Sequence, residues 1–362
     1  MRVGVDVSIL SSPLTGIGRF ALSLVQSLTC LPEPGQWVLL GAPSHFEGLP
    51  EAKNVTVHQV QGLMGWRRIA WQQIELPRLA GRYHVDVLHC PDFSRPIHAS
   101  VPVVNTIHDL SYYSPHAYFS WSNRTYKRAL TRIAVGKSSR LVADSNFTRD
   151  ELLGKFRLDN GVLSVVYLGV DQNPPGEPLR EENPYVLYVG TLEERKNLPN
   201  LIQGFALMRR QKGVPHRLIL AGKPGKDFER IQAAIEASDC KASIEITGYV
   251  SQERVIQLYR AANLFIMPSL YEGFGLPVLE AMATGIPVVC SRAASLPEVG
   301  GDAAEYFDPL SPQEIAAALA KVLGSESLRA EMRRKGLERA KLFSWDECAR
   351  RYCKVYKEVA SG

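Results

Sequence analysis

The strongest constraint on the fold is an alternation that runs twice along the chain. Short, largely apolar runs alternate with stretches of helical length, first up to Asp171 and again from about Tyr185. A strand that is apolar on both faces needs helices on both sides, so the alternation predicts an α/β chain with parallel sheets. In the first half, Val3–Leu10, Trp37–Gly41, Val55–Val60, Val85–Cys90, Pro102–Thr106 and Arg140–Ala143 read as strands, with helices over 18–30, 66–80 and 119–137. In the second half the strands are Val186–Val189, Arg217–Ala221, Ile244–Thr247, Leu264–Met267 and Pro287–Cys290. The helices there are 197–212, 226–238, 251–262 and 276–284. Gln172–Pro184, with four prolines and no apolar period, reads as a linker.

The expected organisation is therefore an N-terminal Rossmann-like domain over 1–171, a linker over 172–184 and a second Rossmann-like domain over 185–342. Residues 343–362 form a last helix with no strand after it. Two such domains are expected to face a central cleft, with ligands at the carboxyl ends of the strands.

Composition excludes several classes. Hydrophobic residues make up 45% and charged residues 22%, as in folded globular proteins. No apolar run reaches the ~18 residues of a membrane helix. Asp6 interrupts the N-terminal apolar run, which reads as a strand and not as a signal peptide. The six cysteines are scattered without a C-x-x-C pair, which fits a reduced, cytoplasmic compartment. The formal net charge of +5 makes no case for nucleic acid. Up to Asp171, however, 17 Lys and Arg face 13 Asp and Glu, and seven of the eight histidines lie there.

Four stretches can carry chemistry. Gly16-Ile17-Gly18 precedes the first helix and loosely matches a dinucleotide fingerprint. Ser11–Thr15 intervene after the strand, and the second strand lacks its ribose-binding acid, which argues against a dehydrogenase. The two glycines can still let a phosphate or sugar approach a helix N-terminus. His108-Asp109 closes a strand, where a histidine can bond a hydroxyl or stabilise developing charge. Arg195 and Lys196 sit where a helix is expected to open. Two cations there oppose the macrodipole unless an anion joins them.

The fourth stretch, Pro268 to Gly285, is the most informative. A strand ends, a glycine-bearing loop follows, and Pro277 sits in a helix's first turn. The loop presents the backbone amides of Gly273, Phe274, Gly275 and Leu276, with Glu272 before the helix and Glu280 one turn inside it. A carboxylate accepts two hydrogen bonds from a vicinal diol, so two acids flanking such a loop suit a ligand with hydroxyls on both sides of a phosphate. No Asp-x-Asp triplet occurs, so a bound diphosphate is expected to be neutralised by Arg195, Lys196 and amides, without a metal.

These residues resemble a known family. Glu272 and Glu280 form the E-x7-E motif of the retaining GT-B glycosyltransferases of family 4, the group 1 transferases. Gly16/Gly18, His108-Asp109-Leu110, Ala143–Thr148, Tyr167–Asp171, Glu194–Asn197 and Phe343-Ser344-Trp345 follow the family in order. Within it, His108–Tyr112 and Arg195–Leu198 look like the bacterial mannosyltransferases of O-antigen and exopolysaccharide assembly.

The resemblance implies that Glu280 holds the donor's ribose and Glu272 a hydroxyl of the donor sugar. Arg195 and Lys196 take the diphosphate, His108 the transferred sugar, and Gly16 lets its loop approach phosphate and acceptor. Many relatives carry Arg after the glycine equivalent to Gly190, where this chain has Thr191, so Arg195 serves in its place. The implied activity is metal-independent transfer with retention from a nucleotide-diphosphate sugar, GDP-mannose foremost, to a glycan or lipid-linked glycan. A UDP-sugar donor and a silent nucleotide-sugar binder are the alternatives. The acceptor is expected on the basic N-terminal domain. Arg124, Arg128 and Arg132 on one helix face, and Trp66, Arg67, Arg68 and Trp71, suit peripheral attachment to the inner face of a membrane.

Overall fold

The structure is a computed structural model. It describes residues 1–10, 14, 16–32, 35–44, 46, 48–114, 118–171 and 183–362, with only the backbone at residue 160. The linker expected over 172–184 lies almost wholly outside the described residues. The chain forms two compact units, Met1–Gly169 with Trp345–Gly362, and Val170–Ser344.

The first unit is a seven-stranded parallel sheet. Its elements are β1 (Arg2–Asp6), α1 (Gly16–Cys30), β2 (Gln36–Pro43), β3 (Val55–Val60), α2 (Trp66–Arg82), β4 (Val87–Cys90), β5 (Val103–Ile107), α3 (Trp121–Lys137), β6 (Arg140–Ala143), α4 (Asn146–Phe156) and β7 (Leu163–Val165). The order is β3-β2-β1-β4-β5-β6-β7. β1 pairs with β2 on one side and β4 on the other. The strand order therefore reverses between β1 and β4, which opens a crevice at their carboxyl ends.

The second unit repeats the plan with six parallel strands. It contains β8 (Tyr185–Val189), α5 (Leu198–Lys212), β9 (Arg217–Ala221), α6 (Phe228–Glu236), β10 (Ile244–Gly248), α7 (Gln252–Ala261), β11 (Leu264–Met267), α8 (Leu276–Thr284), β12 (Val288–Ser291), α9 (Leu296–Gly300), β13 (Ala304–Phe307), α10 (Pro312–Leu323) and α11 (Glu326–Ala340). The order β10-β9-β8-β11-β12-β13 places its reversal between β8 and β11.

The last helix, α12 (Trp345–Ser361), packs in the first unit. Trp345, Cys348, Ala349, Tyr352, Val355, Tyr356 and Val359 recur at helical spacing and are its buried stripe. A polar chain crosses that apolar seat. The Tyr352 hydroxyl lies 2.8 Å from Thr106 Oγ1, which lies 2.9 Å from His89 Nε2, and His89 Nδ1 lies 2.8 Å from the Tyr356 hydroxyl. Burial pushes His89 down to about 3, so the ring is neutral and joins the chain with a single N–H. A Cβ on Gly169 would sit 2.3 Å from the Trp345 backbone nitrogen, which explains glycine where the two segments of this unit touch.

Among the boundaries that differ from the sequence pattern, two lie at the start of the chain. The first strand stops at Asp6 and does not run to Leu10, because Asp6 Oδ1 accepts the Ser8 amide and turns the chain. The Gly16/Gly18 pair is no loop: both residues lie in the first turn of α1, and Gly18 is buried.

Candidate active site

In the second unit, the sequence-selected residues meet at the carboxyl ends of β8 and β11. After β8 the chain makes a close turn. Gly190 has φ +154°, and a Cβ on Gly222 would fall 1.8 Å from the Gly190 carbonyl oxygen, so β8 and β9 can end this close only with glycine at 222. A single 3₁₀ turn, Glu194–Lys196, then carries both cations, and Asn197 in the left-handed region leads into α5. Arg195 and Lys196 therefore precede the helix, where the sequence pattern expected them to open it.

Both cations converge on Glu272. Lys196 Nζ donates to its Oε1 at 2.6 Å and Arg195 Nη1 to its Oε2 at 3.1 Å. The Ser269 hydroxyl adds a third bond to Oε1 at 2.6 Å. Arg195 also reaches Glu193 at 2.9 Å and the Tyr271 carbonyl at 2.8 Å. Burial alone would raise the Glu272 carboxyl, but Lys196 and Arg195 hold it down at about 2. Lys196 is lowered by burial and by Arg195, against the pull of Glu272. Glu272 thus supplies from the protein itself an anion that the two cations call for.

The loop that carries Glu272 is stitched from several sides. Asn197 Nδ2 donates to the carbonyls of Pro268 and Pro309, the Ser291 hydroxyl to that of Ser269, and the Leu270 amide to that of Arg195. The Ser295 hydroxyl stands 2.9 Å from the Glu272 carbonyl and 2.8 Å from that of Phe274. Gly273 and Phe274 are buried, Gly275 (φ +107°) takes the left-handed turn into α8, and Leu276 opens that helix. Glu280, half-buried one turn on, accepts the Tyr259 hydroxyl at 3.2 Å. Ser291 and Ser295 escape the sequence reading, and Ser269, Asn197 and Glu193 lie inside the stretches it selects without a binding role assigned to them. Their signal is no more than a place at the end of a strand or in the segment that follows one.

In the first unit, His108 leaves β5 and spans its neighbours. Nδ1 lies 2.5 Å from Asp144 Oδ2, after β6, and Nε2 lies 2.9 Å from the Pro91 carbonyl, after β4. The Phe20 ring meets the imidazole edge-on at 4.8 Å. Asp109 is committed to its own turn, accepting the Ser111 amide at 3.0 Å and hydroxyl at 2.7 Å. A Cβ on Gly16 would meet nothing within 4 Å, so no crowding requires glycine there. Nearer β1, Arg68 pairs with Asp92 at 2.9 Å, and buried Asp6 accepts Gln72.

The expected arginine face on α3 is largely spent. Arg124 donates to the carbonyls of Tyr112 and Ser114, and Arg128 to that of Tyr112, so both bind the 111–113 turn. Lys127 lies 4.3 Å from the centre of the Phe119 ring. Trp121 and Trp66, by contrast, are 82% and 76% exposed. Trp71, grouped with Trp66 in the sequence, is buried in the core. Among the described residues no group of His, Cys, Asp and Glu could hold a metal ion, and no helix is long and apolar enough to cross a membrane.

Two doubly wound parallel units, each with charged groups at its strand-order reversal, define the class of GT-B proteins. The comparisons agree with the geometry. The family described as "Glycosyltransferase Family 4" matches residues 15–173, and "Glycosyl transferases group 1" matches residues 170–339. The O-antigen chain mannosyltransferase B of Escherichia coli is 33% identical over 95% of this chain and 96% of its own length. WaaG, a glycosyltransferase involved in lipopolysaccharide biosynthesis, superposes over 99% of this chain and 100% of its own, with a TM-score of 0.76 at 16% identity. Anabaena HepE, crystallised with UDP-glucose, has a TM-score of 0.76 at 17% identity over 99% of this chain and 100% of its own. The chain belongs to the group 1, family 4 glycosyltransferases.

Proposed function

We propose that this glycosyltransferase moves mannose from GDP-mannose, with retention and without a metal, to a glycan or lipid-linked glycan of the cell surface. The observation that carries this reading is the Glu272 carboxylate binding Arg195 and Lys196 where the strand order of the second unit reverses. Mannose is supported by the full-length likeness to the Escherichia coli O-antigen mannosyltransferase. A nucleotide-sugar donor is supported by the fold shared with HepE, which binds UDP-glucose.

In this reading Arg195 and Lys196 neutralise the diphosphate as the bond from the anomeric carbon to phosphate oxygen breaks. Glu272 preorganises them and accepts a hydroxyl of the donor sugar, while Glu280 accepts the ribose diol. The amides of Phe274, Gly275 and Leu276 line sugar and phosphate. The acceptor hydroxyl attacks on the face the nucleotide leaves, and its proton passes to the departing phosphate. Gly16 and Gly18, without side chains, let the start of α1 approach phosphate and acceptor.

The test is nucleotide release from GDP-mannose and from UDP- and ADP-sugars, with lipid-linked glycan extracts as acceptors and EDTA present. Sugar transfer from GDP-mannose, lost in Glu272→Ala, is the expected result. Transfer from a UDP-sugar alone replaces the donor, and tight nucleotide binding with no transfer makes the chain a silent binder. Exposed Trp66 and Trp121 favour peripheral attachment of the first unit to a membrane. Co-sedimentation with vesicles rich in anionic lipid should weaken at least several-fold in the Trp66→Ala, Trp121→Ala double variant.

A further inference from the structure

We propose that a groove beside α2 in the first unit is a socket for the phosphate of one anionic membrane lipid, with the Arg95 guanidinium at its base and Ile74 and Ile97 as its apolar lips. The groove arises from the connection between β4 and β5. Parallel strands are usually joined through a helix, but residues 91–102 contain none and run as an irregular segment. Between the second half of α2 and the last residue of α3 this leaves a groove of about 810 Å³. Ser100 and Lys137, which line it, precede β5 and β6, so it opens toward the amino ends of those strands and away from the β1/β4 reversal.

The wall is preformed. Gln73, on α2, grips the segment with both ends of its amide: Nε2 donates to the Arg95 carbonyl and Oε1 accepts the Ile97 amide, each at 2.9 Å. Asn105, buried on β5, holds the segment from behind through the carbonyls of Asp92 and Ser94.

Arg95 gives this groove its chemistry. The residue is 5% exposed, yet no carboxylate pairs with it among the described residues. Its Nε donates to the Pro96 carbonyl at 2.8 Å and its Nη1 to the Lys137 carbonyl at the end of α3. These neutral acceptors aim the guanidinium fork, and the helix C-terminus offsets only part of its charge. Nη2 donates to no group among the described residues. Buried charges are ordinarily paired, so a guanidinium that lines a groove without an acid lacks its anion.

The rest of the lining suits the same ligand. Lys137, with Nζ 3.4 Å from the Ile97 carbonyl, and exposed His98 add positive groups. Arg78 stands at the rim, paired at 2.8 Å with Glu75, and no Asp or Glu is in the lining. Ile74 and Ile97 are 51% and 37% exposed. A bare inorganic anion would leave both in water, whereas a phosphate carried on acyl chains answers the cations and covers the isoleucines. The flanking helices α2 and α3 also open with Trp66 and Trp121, the most exposed aromatic rings among the described residues. The socket rests on the peripheral attachment proposed above and turns it from adhesion into recognition of a headgroup.

The probe is dihexanoyl phosphatidylglycerol, titrated calorimetrically below the concentration at which it forms micelles, beside dihexanoyl phosphatidylcholine and inorganic phosphate. The wild type should bind phosphatidylglycerol as a monomer about tenfold or more tighter than either. The Lys137→Ala, Ile97→Ser double variant keeps the Lys137 carbonyl for Arg95 and should lose about tenfold in affinity, and Arg95→Gln should lose more. Should Arg95→Gln fail to fold, the double variant decides, because both of its side chains are exposed. Trp66→Ala, Trp121→Ala should bind the monomeric lipid as the wild type does, even where vesicle binding is lost, which separates failure of the socket from failure of the attachment. Absence of monomer binding, or equal affinity for phosphatidylcholine, overturns the proposal. Inorganic phosphate bound as tightly as the lipid makes the groove a soluble-anion site and overturns it as well. An unchanged affinity in the double variant places the lipid elsewhere.

Discussion

At the scale of single residues, Glu272 is the pivot of the second unit. Its carboxylate satisfies buried Lys196, partly buried Arg195 and a hydroxyl at once. Glu272→Gln keeps the shape and removes the charge. Breaking a buried pair from one side costs about 3–5 kcal/mol, which denaturant unfolding of the variant would register. Transfer should fall by about 10²–10³ in kcat, as when a preorganised electrostatic group is lost. The pH dependence has a definite sign. Glu272 ionises at about 2 in the fold, against about 4.3 in an unfolded chain. Its stabilisation is therefore complete above about pH 4.3 and disappears as pH falls toward 2. Urea midpoints measured across that window should drop less steeply in Glu272→Gln than in the wild type.

At the scale of elements, helix α12 is held by an apolar stripe and a buried polar chain. Tyr356→Phe removes the hydroxyl beside His89 Nδ1 and should cost about 1 kcal/mol. Tyr352→Phe should cost as much at Thr106, and the double variant should depart from additivity, since His89 and Thr106 connect the two hydroxyls. Unfolding curves of the three variants would show this. Which elements the sequence discloses follows from burial. β8 and β11 carry no polar residue, and β1, β4 and β5 are buried runs broken by only one or two, so they stand out. α4 and α11 bury only two and three residues of a charged sequence, and β13 is a half-exposed edge strand, so no period marks them. The site divides the same way. Glu272, Arg195 and Lys196 break local rules and are visible, whereas Asp144 is one acid after an apolar strand, and its meaning appears only when β5 and β6 lie side by side. The α3 arginines show the opposite failure. Helical spacing places them on one face, but only the fold reveals the carbonyls they bind.

At the scale of the whole molecule, one unit is continuous and the other is assembled from two ends of the chain. A fragment over 170–344 retains every strand of its sheet and should give a cooperative thermal transition. A fragment over 1–169 lacks α12 and leaves the seat of seven buried side chains bare. It should aggregate or bind a hydrophobic dye unless a peptide over 345–362 is added, and circular dichroism with dye fluorescence distinguishes the cases.

The same discontinuity sets a timetable for synthesis. At about 5–20 residues per second, the whole of the second unit is translated between the last strand of the first sheet and the helix that closes it. For on the order of ten seconds or more, the nascent first unit carries an open apolar trough while its neighbour is free to fold. A premature stop near residue 344 would spare every residue of the Glu272 cluster and still strand the newborn chain in the hands of chaperones and proteases.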